Sequence, residues 1–150
     1  MRALPRAMRA LPLARLFLGA VFIYAAWGKI FQPLQFAEAV ANYRLLPLGL
    51  VNLVAHSLPM IELACGLLLI LEVGVAGASL LLSLLLVGFA VGIGQAIWRG
   101  LDIECGCFSA AAERVGYPVL LRDLVLLFLS LTVLSASLKE ASRRVRRIIL

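Results

Sequence analysis

Four long apolar runs, separated by short polar segments, dominate the pattern of hydrophobic and polar positions along this chain. A helix needs about 20 consecutive apolar residues to cross the hydrocarbon core of a bilayer. The pattern therefore predicts four membrane-spanning helices with polar connections between them. These predicted spans cover residues 13–31, 48–71, 73–98 and 119–138.

The boundary between the second and third spans is set by Glu72, the one charged residue in the apolar run from 63 to 98. That run is too long for a single helix to cross a bilayer. We therefore expect a tight turn there, with Gly74 supplying the bend. Further along, Gly88 and Gly92 form a small-residue face, which is typical of closely packed membrane helices.

The first span is flanked by basic residues, and its uncharged centre, residues 16–28, is short for a bilayer. We expect Arg15 and Lys29 to extend their side chains towards opposite membrane surfaces. After this span, residues 32–47 carry apolar positions at helical spacing. They predict a short amphipathic helix that lies at the interface.

The composition supports an integral membrane protein. The chain is 63% hydrophobic and 15% charged, whereas soluble domains are about 45 to 50% apolar and about 25% charged. We predict an all-α membrane protein in which residues 1–150 form one domain, a bundle of four transmembrane helices. The net charge of +6 could suit nucleic acid, but no groove-reading or aromatic-interleaved motif accompanies it. We therefore predict no nucleic-acid binding.

The basic residues are concentrated at the two ends of the chain, which contain nine of the fourteen: Arg2, Arg6, Arg9, Arg15, Lys139, Arg143, Arg144, Arg146 and Arg147. Four spans place both termini on the same side of the membrane. Because basic segments stay on the cytoplasmic side, we predict a bacterial inner-membrane protein with both termini in the cytoplasm. The loop of residues 99–118 then faces the periplasm, where disulfides persist. Residues 139–150 predict a basic amphipathic segment on the membrane surface.

The predicted periplasmic loop contains Cys105 and Cys107, the best candidates for chemistry. A disulfide needs Cα atoms about 4.4 to 6.8 Å apart, so an i,i+2 pair requires a sharp bend, which Gly106 permits. Such a small ring should be strained and prone to exchange. This favours a redox pair over a structural bridge or two unrelated loop cysteines. Cys107 lies nearer to a helix start predicted at Ser109, which favours its thiolate.

Two polar residues of the second span are further candidates. Glu62 lies roughly 21 Å below the predicted outer surface, at a level where the predicted spans place no basic residue. We expect a neutral carboxyl, bonded to hydroxyls or used in function. The hydroxyls predicted near its level are those of Tyr24, Ser83 and Ser130. His56, near the outer end of the span, is either an interfacial residue or a proton shuttle.

Three remaining features complete the sequence-based predictions. The two thiols with His56 and Glu104 would suit a soft metal ion, but one Cys-x-Cys element is weak for structural zinc, and we predict no metal site. Cys65, roughly 25 Å from the outer surface, is predicted to remain a free core residue. Arg122 and Asp123 are adjacent on a helix, so we expect each to have a different partner.

Six segments carry a family resemblance: Arg15-Leu-Phe-Leu-Gly-Ala-Val-Phe with Lys29, Tyr43-Arg-Leu-Leu-Pro47, Leu58-Pro59-x-x-Glu62-x-x-x-Gly66, Arg99-Gly100, Cys105-Gly-Cys107-Phe108 and Leu121-Arg122-Asp123. Together they resemble the MauE/DoxX family of redox-associated four-helix membrane proteins, and its MauE branch more than its DoxX branch. Ser109 stands where MauE proteins usually have glycine. The resemblance implies periplasmic thiol-disulfide handling beside a thioredoxin-like partner. In the namesake case, this thiol-disulfide handling serves maturation of the disulfide-rich small subunit of methylamine dehydrogenase.

Three hypotheses for function stay open at this point. In the first, Cys105 and Cys107 exchange disulfides with a periplasmic thioredoxin-like partner or its disulfide-rich client. In the second, the bundle is a maturation scaffold without enzymatic activity, and the cysteines form a static pair or a metal site. In the third, the protein is an electron carrier whose cofactor is a quinone bound near the outer interface.

Overall fold

The computed structural model describes residues 6–106 and 113–149. These residues contain five helices: α1 (Arg6–Phe31), α2 (Pro33–Asn42), α3 (Leu48–Ile70), α4 (Val75–Trp98) and α5 (Tyr117–Ile149). Within the described residues the only β-type pairing is an isolated antiparallel bridge between Glu104 and Arg114. The predicted all-α fold is confirmed.

Four of these helices are long and apolar enough to cross a membrane, over Leu11–Phe31, Leu48–Ile70, Val75–Trp98 and Tyr117–Arg143. The first three agree closely with the predicted spans. The last differs, because α5 continues without a break to Ile149. The basic tail is therefore a continuation of the last helix and does not form a separate helix.

The long helices pack as two antiparallel pairs, α1 with α3 and α4 with α5, and α2 rests mainly on α3. One buried core joins all four long helices through Leu18, Phe22, Cys65, Leu69, Ala78, Leu82, Leu86, Leu126 and Val133. A smaller cluster of Ile93, Cys105 and Val119 lies at the other end of the bundle. Cys65 is a free, buried thiol, which confirms that prediction.

The turn between α3 and α4 forms at the predicted position. Gly74 precedes α4 with a φ of +57°, and Glu72 has a φ of +62°. Arg15 of α1 donates a hydrogen bond to Glu72, so the first span and this turn meet at the same end of the bundle. Arg15 thus lies near a surface, as predicted.

A close backbone contact joins α1 to α3. A Cβ added at Gly19 would lie 2.8 Å from the carbonyl oxygen of Gly66, and one added at Gly66 would lie 2.9 Å from that of Gly19. The small-residue face predicted on α4 does not serve this purpose. A Cβ at Gly88 would meet nothing within 4 Å, and one at Gly92 would make ordinary contacts. The prediction chose the wrong helix because this part of α4 borders a cavity.

We predict that Gly19→Ala and Gly66→Ala each destabilise the protein by about 1 to 3 kcal/mol, since overpacking forces two backbones apart. Gly94→Ala is the matched control, because an added Cβ there meets nothing within 4 Å and alanine is the better helix former. Thermal unfolding in detergent, followed by circular dichroism, measures the effect. Equal Tm values for all three variants would contradict the close α1–α3 contact.

Candidate functional site

The site begins with the loop between α4 and α5, which folds back on itself. The amide of Cys105 donates to the carbonyl of Glu113 at 2.8 Å, and the amide of Val115 donates to that of Ile103 at 2.9 Å. These two bonds flank the isolated β-bridge. They fix the backbone on both sides of the loop and so fix the position of Cys105.

Cys105 is disulfide-bonded and only 5% exposed. Its carbonyl oxygen accepts a hydrogen bond of 3.0 Å from the hydroxyl of Tyr43. Cys107 lies outside the described residues, as does the helix start predicted at Ser109. The first of the two candidate cysteines is thus held on the protein side of the loop, away from solvent.

Gly106 makes the tight fit of this loop against α2 possible. Its φ is +67°, and a Cβ there would lie 2.8 Å from the Cβ of Ala39 and 3.6 Å from the ring of Phe36. Both the left-handed backbone and the lack of space exclude a side chain. The sharp bend expected at Gly106 is present, and it brings the loop directly onto α2.

Tyr43, which the sequence reasoning did not single out, joins the loop to the rest of the bundle. Its own carbonyl accepts a hydrogen bond of 3.2 Å from Arg99. Burial, and to a smaller extent the charge of Asp123, raises the pKa of Tyr43 to about 12. The phenol therefore stays protonated at physiological pH and remains a donor to Cys105. The sequence held one indication that Tyr43 matters, because this residue begins the segment Tyr43-Arg-Leu-Leu-Pro47 that contributes to the family resemblance.

Glu62 is paired with Lys29, in contrast to both sequence predictions for these residues. The Lys29 Nζ lies 2.7 Å from each carboxyl oxygen of Glu62, and both side chains are 1% exposed. Short contacts to both oxygens fit an ammonium donating to a carboxylate, which accepts at both atoms. The predictions that Glu62 bonds to hydroxyls with no basic residue at its level, and that the Lys29 side chain lies at the surface, were wrong.

The register of α1 and α3 explains the error. Measured from the Gly19–Gly66 contact, Lys29 lies roughly 15 Å along α1 and Glu62 roughly 6 Å along α3 in the same direction. Side chains lean towards the N-terminus of their helix. In an antiparallel pair Lys29 therefore leans inward and Glu62 outward, so the two side chains meet. A comparison of Cα depths in the predicted spans does not include this lean, and it therefore places no basic residue at the level of Glu62.

Two aromatic rings adjoin this ion pair. The Lys29 Nζ lies 5.1 Å from the ring centroid of Phe36 and 5.1 Å from that of Phe89. Both distances are within cation–π range. Phe36 thus adjoins the buried ammonium and also adjoins Gly106 of the cysteine loop. The ion pair and the loop are connected through one side chain of α2.

The hydroxyls predicted around Glu62 have other positions. Ser83 and Ser130 lie 2.9 Å apart, and Ser130 also donates to the carbonyl of Ser79 at 3.0 Å. These bonds join α4 to α5. Tyr24 lies on the outside of the bundle, 56% exposed. Because α4 packs against α5, the hydroxyls of Ser83 and Ser130 form hydrogen bonds with each other and with the backbone of α4.

Arg122 and Asp123, expected to have separate partners, also form an ion pair with each other. Arg122 donates to Glu113, but its Nε also lies 3.8 Å from Oδ1 of Asp123. The Arg122 guanidinium thus contacts both carboxylates, which the expectation of separate partners did not allow for. Asp123 is 1% exposed, and its Oδ2 has no hydrogen-bond partner in the described part of the chain.

His56 is exposed on the surface of α3. Its exposed ring donates from Nδ1 to the carbonyl of Asn52 at 2.9 Å, within its own helix. Among residues 6–106 and 113–149, no group of three or more His, Cys, Asp or Glu side chains is arranged to hold a metal ion. The two uses considered for His56, as a metal ligand or proton shuttle, gain no support from its contacts.

A cavity of about 360 Å³ lies between α2, α3 and α4, beside the cysteine loop. Its walls are almost entirely apolar and consist of Phe36, Val40, Tyr43, Leu45, Leu46, Val54, Leu58, Leu84, Leu85, Gly88, Phe89, Gly92 and Cys105. Cys105 and Tyr43 are both part of this lining. The cavity therefore adjoins both the disulfide-bonded cysteine and the two rings beside Lys29.

The sequence model of the family described as methylamine utilisation protein MauE matches residues 7–136. The chain belongs to the MauE family. The resemblance to MauE is thereby confirmed, while the DoxX part of it stays a prediction. No solved structure matches the chain.

Three relatives carry the name methylamine utilization protein MauE. The protein of Paracoccus denitrificans is 33% identical over 121 residues, which are 79% of this chain and 65% of the relative. That of Methylophilus methylotrophus is 34% identical over 129 residues, 84% of this chain and 68% of the relative. That of Paracoccus versutus is 35% identical over 131 residues, 86% of this chain and 69% of the relative. The chain thus matches about two thirds of the length of these proteins.

We predict that Glu62→Gln destabilises the protein by about 3 to 5 kcal/mol, because it leaves the buried Lys29 ammonium without its counter-charge. Replacing both residues, as Lys29→Leu with Glu62→Leu, should recover much of this loss. The control is Glu72→Gln, which breaks the Arg15 pair at a glutamate that is 68% exposed and should cost about 1 kcal/mol or less.

Thermal unfolding in detergent and the amount of protein accumulated in the membrane report these effects. If Glu62→Gln and Glu72→Gln lower the Tm equally, the buried Lys29–Glu62 pair does not have the role that its geometry assigns to it.

Proposed function

We propose that this protein is a membrane component of thiol-disulfide exchange that supports maturation of disulfide-rich proteins in methylamine utilisation. The observation that carries the proposal is a disulfide-bonded Cys105 held in place by Tyr43, by Gly106 and by the backbone of its own loop. The names of the three MauE relatives support the methylamine context. The partner in this proposal is a periplasmic thioredoxin-like protein or its client.

The redox pair in this proposal is Cys105 with Cys107. Exchange begins when a partner thiolate attacks one sulfur of the disulfide and releases the other as a thiolate. Cys105 is 5% exposed, so an incoming thiolate has little access to it. We therefore assign the attacked sulfur to Cys107 and the released thiol to Cys105. A second partner thiol then attacks the mixed disulfide, which gives an oxidised partner and a reduced Cys105–Cys107 pair.

The buried Lys29–Glu62 pair has a positioning role in this proposal. It anchors α1 to α3 below Phe36, and Phe36 supports Gly106 between the two cysteines. Replacing a residue of the pair should therefore disturb the loop through α2. None of these side chains needs to touch the reacting sulfurs.

We predict that, in purified protein, Cys105→Ser reacts with oxidised glutathione to a stable mixed disulfide at Cys107. Cys107→Ser should react at least about tenfold more slowly at Cys105, because glutathione has little access to a residue that is 5% exposed. In the reduced wild type, the mixed disulfide should resolve to the Cys105–Cys107 disulfide and release reduced glutathione. Mass spectrometry after acid quenching measures all three.

Cys65→Ala is the matched control for this experiment, because Cys65 is free and buried in the main core. It should exchange at the wild-type rate. Equal rates for Cys105→Ser and Cys107→Ser would contradict the assignment of roles. Absence of exchange in every form would favour the scaffold hypothesis, in which the cysteines are a static pair.

We predict that the α2 side of the bundle is periplasmic and both termini are cytoplasmic, since basic residues concentrate at the terminal side. Glu38 of α2 and Ser142 of α5 are both exposed. In a chain without native cysteines, Glu38→Cys should react with an impermeant maleimide in intact cells, and Ser142→Cys only after lysis. The opposite pattern would reverse the orientation.

A further inference from the structure

We propose that the cavity beside Cys105 binds a lipid-soluble quinone, which accepts the electrons of the reduced Cys105–Cys107 pair. This inference rests on the proposed thiol function, because the quinone restores the disulfide that exchange consumes. The shape of the cavity, the presence of Cys105 in its wall and its access to lipid support it from separate observations.

The size and lining of the cavity suit a flat apolar ring. Its volume of about 360 Å³ falls within the range of about 300 to 1,000 Å³ typical of small-molecule sites. Three aromatic side chains, Phe36, Tyr43 and Phe89, contribute to its wall. Aromatic rings favour offset or edge-to-face packing with another ring.

The cavity also adjoins the surface that faces lipid. Leu45, Leu46 and Leu84 contribute to its wall and are 45%, 37% and 60% exposed. On a membrane-spanning bundle such exposed apolar side chains face hydrocarbon. A quinone carried in the bilayer would therefore reach the cavity without crossing water, and its isoprenoid tail would remain among the lipid chains.

The cysteine in the cavity wall favours an electron acceptor over a plain hydrocarbon chain. Cys105, one member of the proposed redox pair, is disulfide-bonded and lines the cavity, so a molecule bound there lies against the residue that must be reoxidised. A quinone can take up the two electrons of the reduced pair, whereas a lipid acyl chain cannot. The Lys29 ammonium near the wall rings is paired with Glu62, so it adds no net charge to the site.

The reaction balances without another reactant. The thiols of Cys105 and Cys107 lose two protons and two electrons, and a sulfur–sulfur bond forms. The quinone takes up two electrons and two protons, and its two carbonyl groups become hydroxyls. The products are the disulfide and a quinol, which leaves through the lipid phase.

Gly88 offers a direct test, because it lies in the cavity wall and a Cβ there meets nothing within 4 Å. Gly88→Leu should fill the cavity without displacing a neighbour. Gly77→Leu is the matched control, since Gly77 lies on the same helix, an added Cβ meets nothing within 4 Å, and the cavity wall excludes it. Equal Tm values for the two variants would establish that both fold.

The experiment follows reduced protein in lipid nanodiscs after addition of decylubiquinone, by quinol absorbance and by counting free thiols. Wild type and Gly77→Leu should form one quinol per disulfide. Gly88→Leu should be slower by at least about tenfold at limiting quinone, with Gly88→Ala in between. Exchange with oxidised glutathione should be unchanged in all of them.

A second measurement separates this inference from the thiol function. A photoreactive azidoquinone should label α2 or α4 in Cys105→Ser protein, and decylubiquinone should compete with it. If exchange with glutathione proceeds but Gly88→Leu and Gly77→Leu reoxidise alike and no competition occurs, the cavity holds lipid chains and the quinone proposal fails. Competed labelling with no thiol exchange would instead refute the thiol function and the reoxidation step.

Discussion

Burying two opposite charges inside a membrane-spanning bundle is costly unless they satisfy one another, and Lys29 and Glu62 do so. Each ion loses several kcal/mol of hydration on burial, so only close, well-directed contacts offset the loss. Nζ at 2.7 Å from both carboxyl oxygens meets this condition. Sliding α1 along α3 by even one turn, about 5.4 Å, would separate the charges. The pair therefore fixes the register in which Gly19 and Gly66 come into contact.

The cysteine loop depends on this pair through α2. Phe36 has its ring 5.1 Å from the Lys29 ammonium on one side and contacts the Gly106 position on the other. Tyr43, just beyond α2, accepts from Arg99 and donates to Cys105. Displacing α1 would thus move Phe36, and with it the surface on which the loop rests. The cysteine loop is therefore supported by a charge pair buried deeper in the bundle.

The sequence was sufficient for the helices because their hydrophobic pattern is local. Apolar length located the four spans, and Glu72 with Gly74 located the tight turn. The apolar surroundings and depth of Cys65 were enough to predict a free core thiol. Each of these features follows from a residue and its immediate neighbours in the chain, without knowledge of which helices pack together.

What the sequence could not predict are the contacts between elements. Lys29 and Glu62 are paired by helix register and by the lean of their side chains, and neither can be read from one span alone. Small residues occur on several helices, so only the packing decides that Gly19 and Gly66 touch while Gly88 borders a cavity. The cavity itself is the space left between three elements, and no single segment encodes it.

The segments that carried the family resemblance are distant in the chain but adjacent in the structure. Lys29 contacts Glu62, Arg99 contacts Tyr43, and Tyr43 contacts Cys105. This arrangement surrounds Cys105 with apolar side chains and a neutral phenol. Cys105 is only 5% exposed, so an incoming thiolate has little access to it. The same packing that holds Cys105 in place therefore shields it from direct attack. In the proposed exchange it leaves contact with a partner to Cys107, and Cys105 itself lies beside the cavity.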